Sequence, residues 1–227
     1  MSTPGTPALQ VTVTAPVVSF RNPLYAGVQV TLPCPPPSTA AGLLAAAAGG
    51  WPEVDPGLRL AMAFHAGGAG VDLETYHPLD AGGKTSTPAP RNREFLADAT
   101  LTLWLLDDVD LWYRRLRRPV WPLRLGRSQD LVGLHLEHTT LSGEAGEQRT
   151  AVVPDHRGAG GTLLRLPTAV APGRGRTRWD AYRFDVTGRT RVPVPGSLST
   201  AAGLAVAPLR PVHPDAAFGG DVAAQRH

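Results

Sequence analysis

Residues 40–48 read Ala-Ala-Gly-Leu-Leu-Ala-Ala-Ala-Ala, a strong helix-forming run without a polar face. The run follows Pro33-Cys34-Pro35-Pro36-Pro37, which can neither continue a strand ladder nor easily precede helical residues. Gly49-Gly50 closes it, and Ser38 or Thr39 is the expected cap. A helix apolar on every side has to be covered on every side. The rest of the chain must therefore supply a sheet for it to lie against.

Alternation supplies that sheet. Leu9, Val11, Val13 and Ala15 alternate with polar residues and predict an opening strand running to about Phe20. Leu58, Leu60, Met62 and Phe64 predict a second strand, and Val71 to His77 reads as its return after a turn at Gly67-Gly68-Ala69-Gly70. Residues 79–90 read as a mobile tip or linker. Phe95, Ala97, Ala99, Leu101, Leu103 and Leu105 form the longest strand pattern. Asp107 or Asp108 then caps a helix with Val109, Trp112, Tyr113 and Leu116 on one face, and Pro119 stops it. The order strand, helix, strand, hairpin, strand, helix, strand is that of a ferredoxin-like or RRM-like α+β unit. It occupies residues 1–137, with an enlarged hairpin, or thumb, at about 65–93. Residues 138–212 read as a β-rich C-terminal portion of short strands, and 213–227 as a flexible tail.

At 227 residues the chain can bury one good core with an elaborated edge, or two small halves. No apolar run is long enough to span a membrane, and Met1-Ser2-Thr3-Pro4-Gly5 is unlike a signal peptide. Cys34 is the only cysteine, which removes internal disulfides and Cys-rich zinc sites and points to a reducing cytoplasm. The formal net charge is only +3, yet of 22 basic residues only Lys84 is a lysine. GC-rich coding produces such a bias, and so does recognition of phosphates and bases by guanidinium groups. Placement is more telling than the ratio. From Leu111 to Arg127 there are six arginines and no acid, and from Arg157 to Arg191 eight arginines face Asp180 and Asp185. Basic blocks under a modest net charge are the sequence footprint of a polyanion partner.

Three segments together resemble a known family: Gln29 to Gly49, the run Arg91-Asn92-Arg93-Glu94-Phe95-Leu96, and Pro122-Leu123-Arg124-Leu125-Gly126-Arg127-Ser128-Gln129-Asp130. In this order and spacing they are similar to the CRISPR-associated Cas5 family, in the branch found in type I-B and similar complexes. The likeness covers roughly residues 9 to 137. It implies a ferredoxin-like RAMP fold and a single-copy subunit of a Cascade complex. It implies binding to the repeat-derived 5′ handle of the CRISPR RNA (crRNA), with the thumb beside the handle–spacer junction. Its implied protein partners are the backbone subunit and the large subunit, and target DNA is met only through the complex. One departure is Gln129, where relatives often carry an acid.

The residues themselves suggest where RNA would lie. Ser38 and Thr39 start a helix whose free amides suit a phosphate, or are an ordinary cap. Arg91 and Arg93 alternate along a strand at the foot of the thumb and face one way, toward RNA or toward solvent. Arg124, Arg127 and Ser128 flank a tight turn at Gly126 whose amides could join them in holding phosphate. Arg174, Arg176 and Arg178, followed by Trp179, form a basic loop with a stacking partner for single-stranded RNA. The helix arginines from Arg114 to Arg118 suit RNA, a protein partner or plain solvation.

Catalysis has weaker support. Relatives in the type I-C branch cleave precursor RNA, so a metal-independent endoribonuclease is the competing reading. The densest titratable cluster is His135, Glu137 and His138, with Asp155-His156 further on. On a strand, His135 and Glu137 face one way and His138 the other, which spoils a joint site and does not favour a metal. Lys84 lies in the low-complexity segment. The sequence expectation is a non-catalytic scaffold with no cofactor and no metal.

Overall fold

The computed structural model describes residues 5–22, 25, 30–76, 88–155 and 159–219. Strand β1 (Thr6–Val18) leads to α1 (Pro37–Ala48), β2 (Leu60–Tyr76), β3 (Ala89–Leu105), α2 (Val109–Arg117) and β4 (Gly133–Leu141). The four strands lie side by side as β4-β1-β3-β2, all neighbours antiparallel. This is the ferredoxin-like arrangement expected from the βαββαβ order. Alternation decides the faces. Leu9, Val11 and Val13 sit with Leu101, Leu103, Leu105, Leu60, Met62 and Phe64 in one buried cluster under the two helices. Trp112 and Leu116 join it from α2, each contributing roughly 1.5–3 kcal/mol by burial. Eight of the twelve residues of α1 are buried, as its missing polar face requires.

The chain then extends the sheet. Strands β5 (Ala151–Pro154), β6 (Thr162–Val170) and β7 (Thr177–Phe184) add in the order β5-β7-β6 beyond β2, giving seven strands. A small hairpin of β8 (Leu198–Ser199) and β9 (Ala205–Val206) covers part of the opposite face, where Val206 packs with Ala8, Ala61, Ala63 and Trp104. The Trp104 indole donates to Gln10 Oε1 at 3.1 Å. Among the described residues no helix is long and apolar enough to cross a membrane.

Several local expectations are corrected. Gly67-Gly68-Ala69-Gly70 is no turn: β2 runs straight through it against β3, with Gly70 opposite Phe95. A Cβ on Gly70 would stand 2.6 Å from the Phe95 ring, and one on Gly67 would stand 3.0 Å from Asp98 Cβ. The glycines make room for neighbours across the ladder instead of reversing the chain. The connection falls between Tyr76 and Ala89, and the tip read at 79–90 lies mostly outside the described residues. Helix α1 begins at Pro37 with Pro36 as its cap residue and no side-chain cap, so Ser38 and Thr39 are first-turn residues. Proline suits that position because its missing N–H would have been unpaired there anyway. Asp108 occupies the cap position of α2 at φ 48° without a side-chain bond, while Asp107 accepts from the Arg59 amide at 2.7 Å and ties β2 to β3. Where fraying was expected, His213 is 3% exposed and leads into α3 (Pro214–Phe218), accepting from the Asp215 amide at 3.1 Å.

Candidate nucleic-acid interface

Four pieces of chain distant in sequence meet at one cleft of about 560 Å³. The end of β1 brings Ser19, Phe20 and Arg21, the start of α1 brings Pro36 and Thr39, the outer half of β2 brings Glu74 and Thr75, and a loop brings Gly126 to Gln129. Hydrogen bonds fix two of these walls. The Leu32 amide donates to Phe20 O at 2.7 Å and the Phe20 amide to Thr31 Oγ1 at 2.8 Å. The Ser19 hydroxyl donates to Glu94 O at 2.9 Å, and Glu94 Oε2 accepts from the Thr31 amide at 3.0 Å. The loop closes through Leu125 N to Asp130 O (2.9 Å) and the Arg127 amide to Asp130 Oδ2 (3.0 Å). Gly126 sits at φ 98°, and a Cβ there would approach Ser19 O to 2.7 Å. Only glycine lets this loop press so closely on the end of β1.

The cleft carries a mixed charge. Helix α1 has no acidic residue in its first turn, so its N-terminal partial positive charge is uncompensated there. Arg21, Ser128 and Gln129 are exposed at the rim. Arg127 instead reaches across to Glu74 in an ion pair, both side chains about one-quarter exposed. Arg127 Nη1 and Glu74 Oε2 are buried without a hydrogen-bond partner. One rung back, Arg93 is ion-paired with Asp72, the residue opposite it on β2. That hydrogen bond holds the Asp72 carboxyl below its ordinary range and raises the Arg93 guanidinium.

The predicted site residues divide accordingly. Thr39, Arg127 and Ser128 line the cleft, and Ser38 sits half-buried beside Thr39 on the same helical turn. Arg93 stands on the adjoining β3 and Arg91 is exposed opposite Glu74. Arg124 is exposed and bridges Leu131 at the far side of the Gly126 turn. Arg174, Arg176 and Arg178 lie in and after the β6–β7 turn, at the sheet edge opposite β4, and line no part of the cleft. There Arg178 pairs with Asp180 at 3.0 Å, and the Arg176 guanidinium lies 4.9 Å from the Phe218 ring centre. Sequence reasoning passed over Arg21, Glu74 and Thr75. The alternation of Asp72 and Glu74 against Arg91 and Arg93 was the available signal for the carboxylates.

The histidines fall as the period of two requires. His135 is opposite Thr12 and Glu137 opposite Gln10, on the sheet face away from the helices. His138, opposite Leu9, faces α2, where its Nε2 lies 3.2 Å from Asp110 Oδ1 and its ring 4.8 Å from that of Tyr113. None of the three lines the cleft.

The family model of the CRISPR-associated protein (Cas5) matches residues 8–191. A chain of a CRISPR RNA-guided surveillance complex is similar in fold, with a TM-score of 0.52 at 18% identity, covering 93% of this chain and 98% of that one. A CRISPR protein from Archaeoglobus fulgidus has a TM-score of 0.54 at 13% identity, covering 89% and 100%. No curated protein matches in sequence.

Proposed function

This chain belongs to the CRISPR-associated Cas5 family, and on that premise we propose that it is a non-catalytic crRNA-binding subunit of a type I Cascade complex. It caps the repeat-derived 5′ handle of the guide and helps to assemble the backbone and large subunits around it. The observation that carries the reading is the meeting of two of the family-like segments, at Thr39 and at Arg127-Ser128, in one cleft beside the third. The start of α1, the end of β1 and the Gly126 loop offer a phosphate backbone an uncompensated helix end, a guanidinium at Arg21 and a hydroxyl at Ser128. The outer arms of β2 and β3 form the thumb beside that cleft, and on this reading Arg91, exposed opposite Glu74, meets an RNA strand leaving it. In such a complex the protein holds backbone and shape while base pairing supplies sequence choice.

Fluorescence anisotropy with a 5′-handle RNA tests this reading. Arg21→Ala and Ser128→Ala should each weaken binding, and Arg21→Ala should lower the salt slope by about 0.7, the share of one phosphate on a single strand. Unchanged affinity and slope in both variants would remove the cleft from the RNA path.

A further inference from the structure

The proposed RNA path leaves one conspicuous surface unused. Trp121 is 59% exposed and Val120 beside it is 61% exposed. Of the chain's five tryptophans Trp121 alone is exposed: Trp51 and Trp179 are half-buried, and Trp104 and Trp112 are buried at 1% and 2%. The pair is held outward rather than left loose. The Val120 amide donates to Ala47 O and the Trp121 amide to Ala46 O, each at 3.2 Å, so the loop caps the C-terminal end of α1. Prolines 119 and 122 flank the pair. A rigid indole costs little conformational entropy on docking, which is one reason that Trp is enriched among the residues dominating the energetics of protein interfaces.

The flank is basic. Arg114, Arg117 and Arg118 are exposed and have no carboxylate partner among the described residues. The nearby Glu53 is engaged by Arg115, whose Nη1 donates to its carbonyl at 2.6 Å. An occupant must therefore bring apolar surface for Val120 and Trp121 and negative charge for the arginines. Two features favour protein over RNA. The amides of the loop are consumed by α1, so they cannot hold phosphate as an open turn would. Val120 has no ring for a base to stack on. The knob also sits at the opposite end of α1 from the cleft, roughly 18 Å away for 12 residues of helix.

We propose that Val120 and Trp121, with Arg114, Arg117 and Arg118, form a docking surface for another protein subunit, which presents an apolar pocket rimmed by Asp and Glu side chains. The proposal rests on the reading that this chain works inside a multi-subunit complex. The direct test replaces Trp121 by the photoreactive amino acid p-benzoylphenylalanine in the full chain, co-expressed with its genomic neighbours. The purified assembly is irradiated and the cross-linked partner sequenced. The expected product joins residue 121 to a protein subunit at a peptide bearing Asp or Glu. A cross-link to RNA, a cross-link to a peptide without carboxylates, or none at all would overturn the proposal. As a second measurement, Val120→Ser with Trp121→Ser should weaken retention of that subunit roughly thirtyfold, the size of a hot-spot truncation. The same variant should leave melting temperature and handle-RNA affinity unchanged, and a full-strength assembly would contradict the proposal. If the unsubstituted complex carries no RNA, the RNA-binding reading fails while the cross-link still decides the docking surface.

Discussion

Removing Arg127 and removing Glu74 should have the same sign for stability and opposite signs for RNA binding. The pair joins the Gly126 loop to β2 with each side chain about one-quarter exposed. It therefore falls between a surface pair, worth about 0–1 kcal/mol, and a buried one, whose breakage costs about 3–5 kcal/mol. Arg127→Ala leaves a half-buried carboxylate without its partner, a loss of about 1–2 kcal/mol on that scale. For a domain of this size that is about 2–8 °C in Tm. Glu74→Ala strands the guanidinium and should cost a similar amount. The double variant should cost less than the sum, because Arg127 Nη1 and Glu74 Oε2 are already unpartnered and removing both ends leaves no orphaned charge. RNA reverses the comparison. Arg127→Ala should weaken handle binding, whereas Glu74→Ala removes a negative charge from the cleft wall and frees Arg127 for phosphate, so binding should tighten. Thermal melts of the four proteins and anisotropy titrations at two salt concentrations measure both quantities. Additive melting shifts, or weaker RNA binding in Glu74→Ala, would refute this account of the pair.

Other consequences are simpler to check. Gly126→Ala forces an L-residue to φ 98° against Ser19 O, so the protein should lose about 1–3 kcal/mol in denaturant titration together with its RNA affinity. Asp185 is opposed by burial, yet it accepts from the amides and hydroxyls of Thr187 and Thr190 at 2.7–2.9 Å, which hold its carboxyl far below the usual range. A folded pKa below the unfolded one stabilises above the unfolded value, about 3.9, and the gain is lost as pH falls toward the folded one. Asp185→Asn should thus lower Tm at pH 7, with the gap to the parent protein closing below about pH 4; a constant gap would contradict it. Precursor repeat RNA mixed with the pure protein in EDTA should stay intact on a denaturing gel. Cleavage there, lost in His135→Ala or His138→Ala, would instead make the chain a processing endoribonuclease.

The main architecture was legible because burial writes directly onto alternation. Leu9 to Ala15, Leu58 to Phe64 and Ala99 to Leu105 had to share a face, and the apolar α1 had to lie on it; at Asp98, φ 49°, the alternation of β3 switches, so Leu96 enters the core instead of Phe95 and Ala97. The Gly67–Gly70 run misled because glycine serves two ends: it allows a turn, and it also allows a neighbour to come close. Only the partner across the ladder, Phe95 opposite Gly70, tells these apart. The cleft was half legible. Thr39, Arg127 and Ser128 came from segments already singled out, but the Glu74–Arg127 pair spans 53 positions and depends on where the thumb strand lands against the Gly126 loop. Arg174, Arg176 and Arg178 were just as visible in the sequence, yet they lie apart from the cleft. A run of charge records only solvation until the fold places it, and here the fold places it at another sheet edge.

The central claim is that this chain holds the 5′ end of a guide RNA. Its most direct test is affinity purification of the tagged chain, co-expressed with its genomic neighbours, followed by sequencing of the bound RNA. The account predicts short RNAs that share one repeat-derived 5′ end. Recovery of no RNA, or of fragments with random ends, would contradict it.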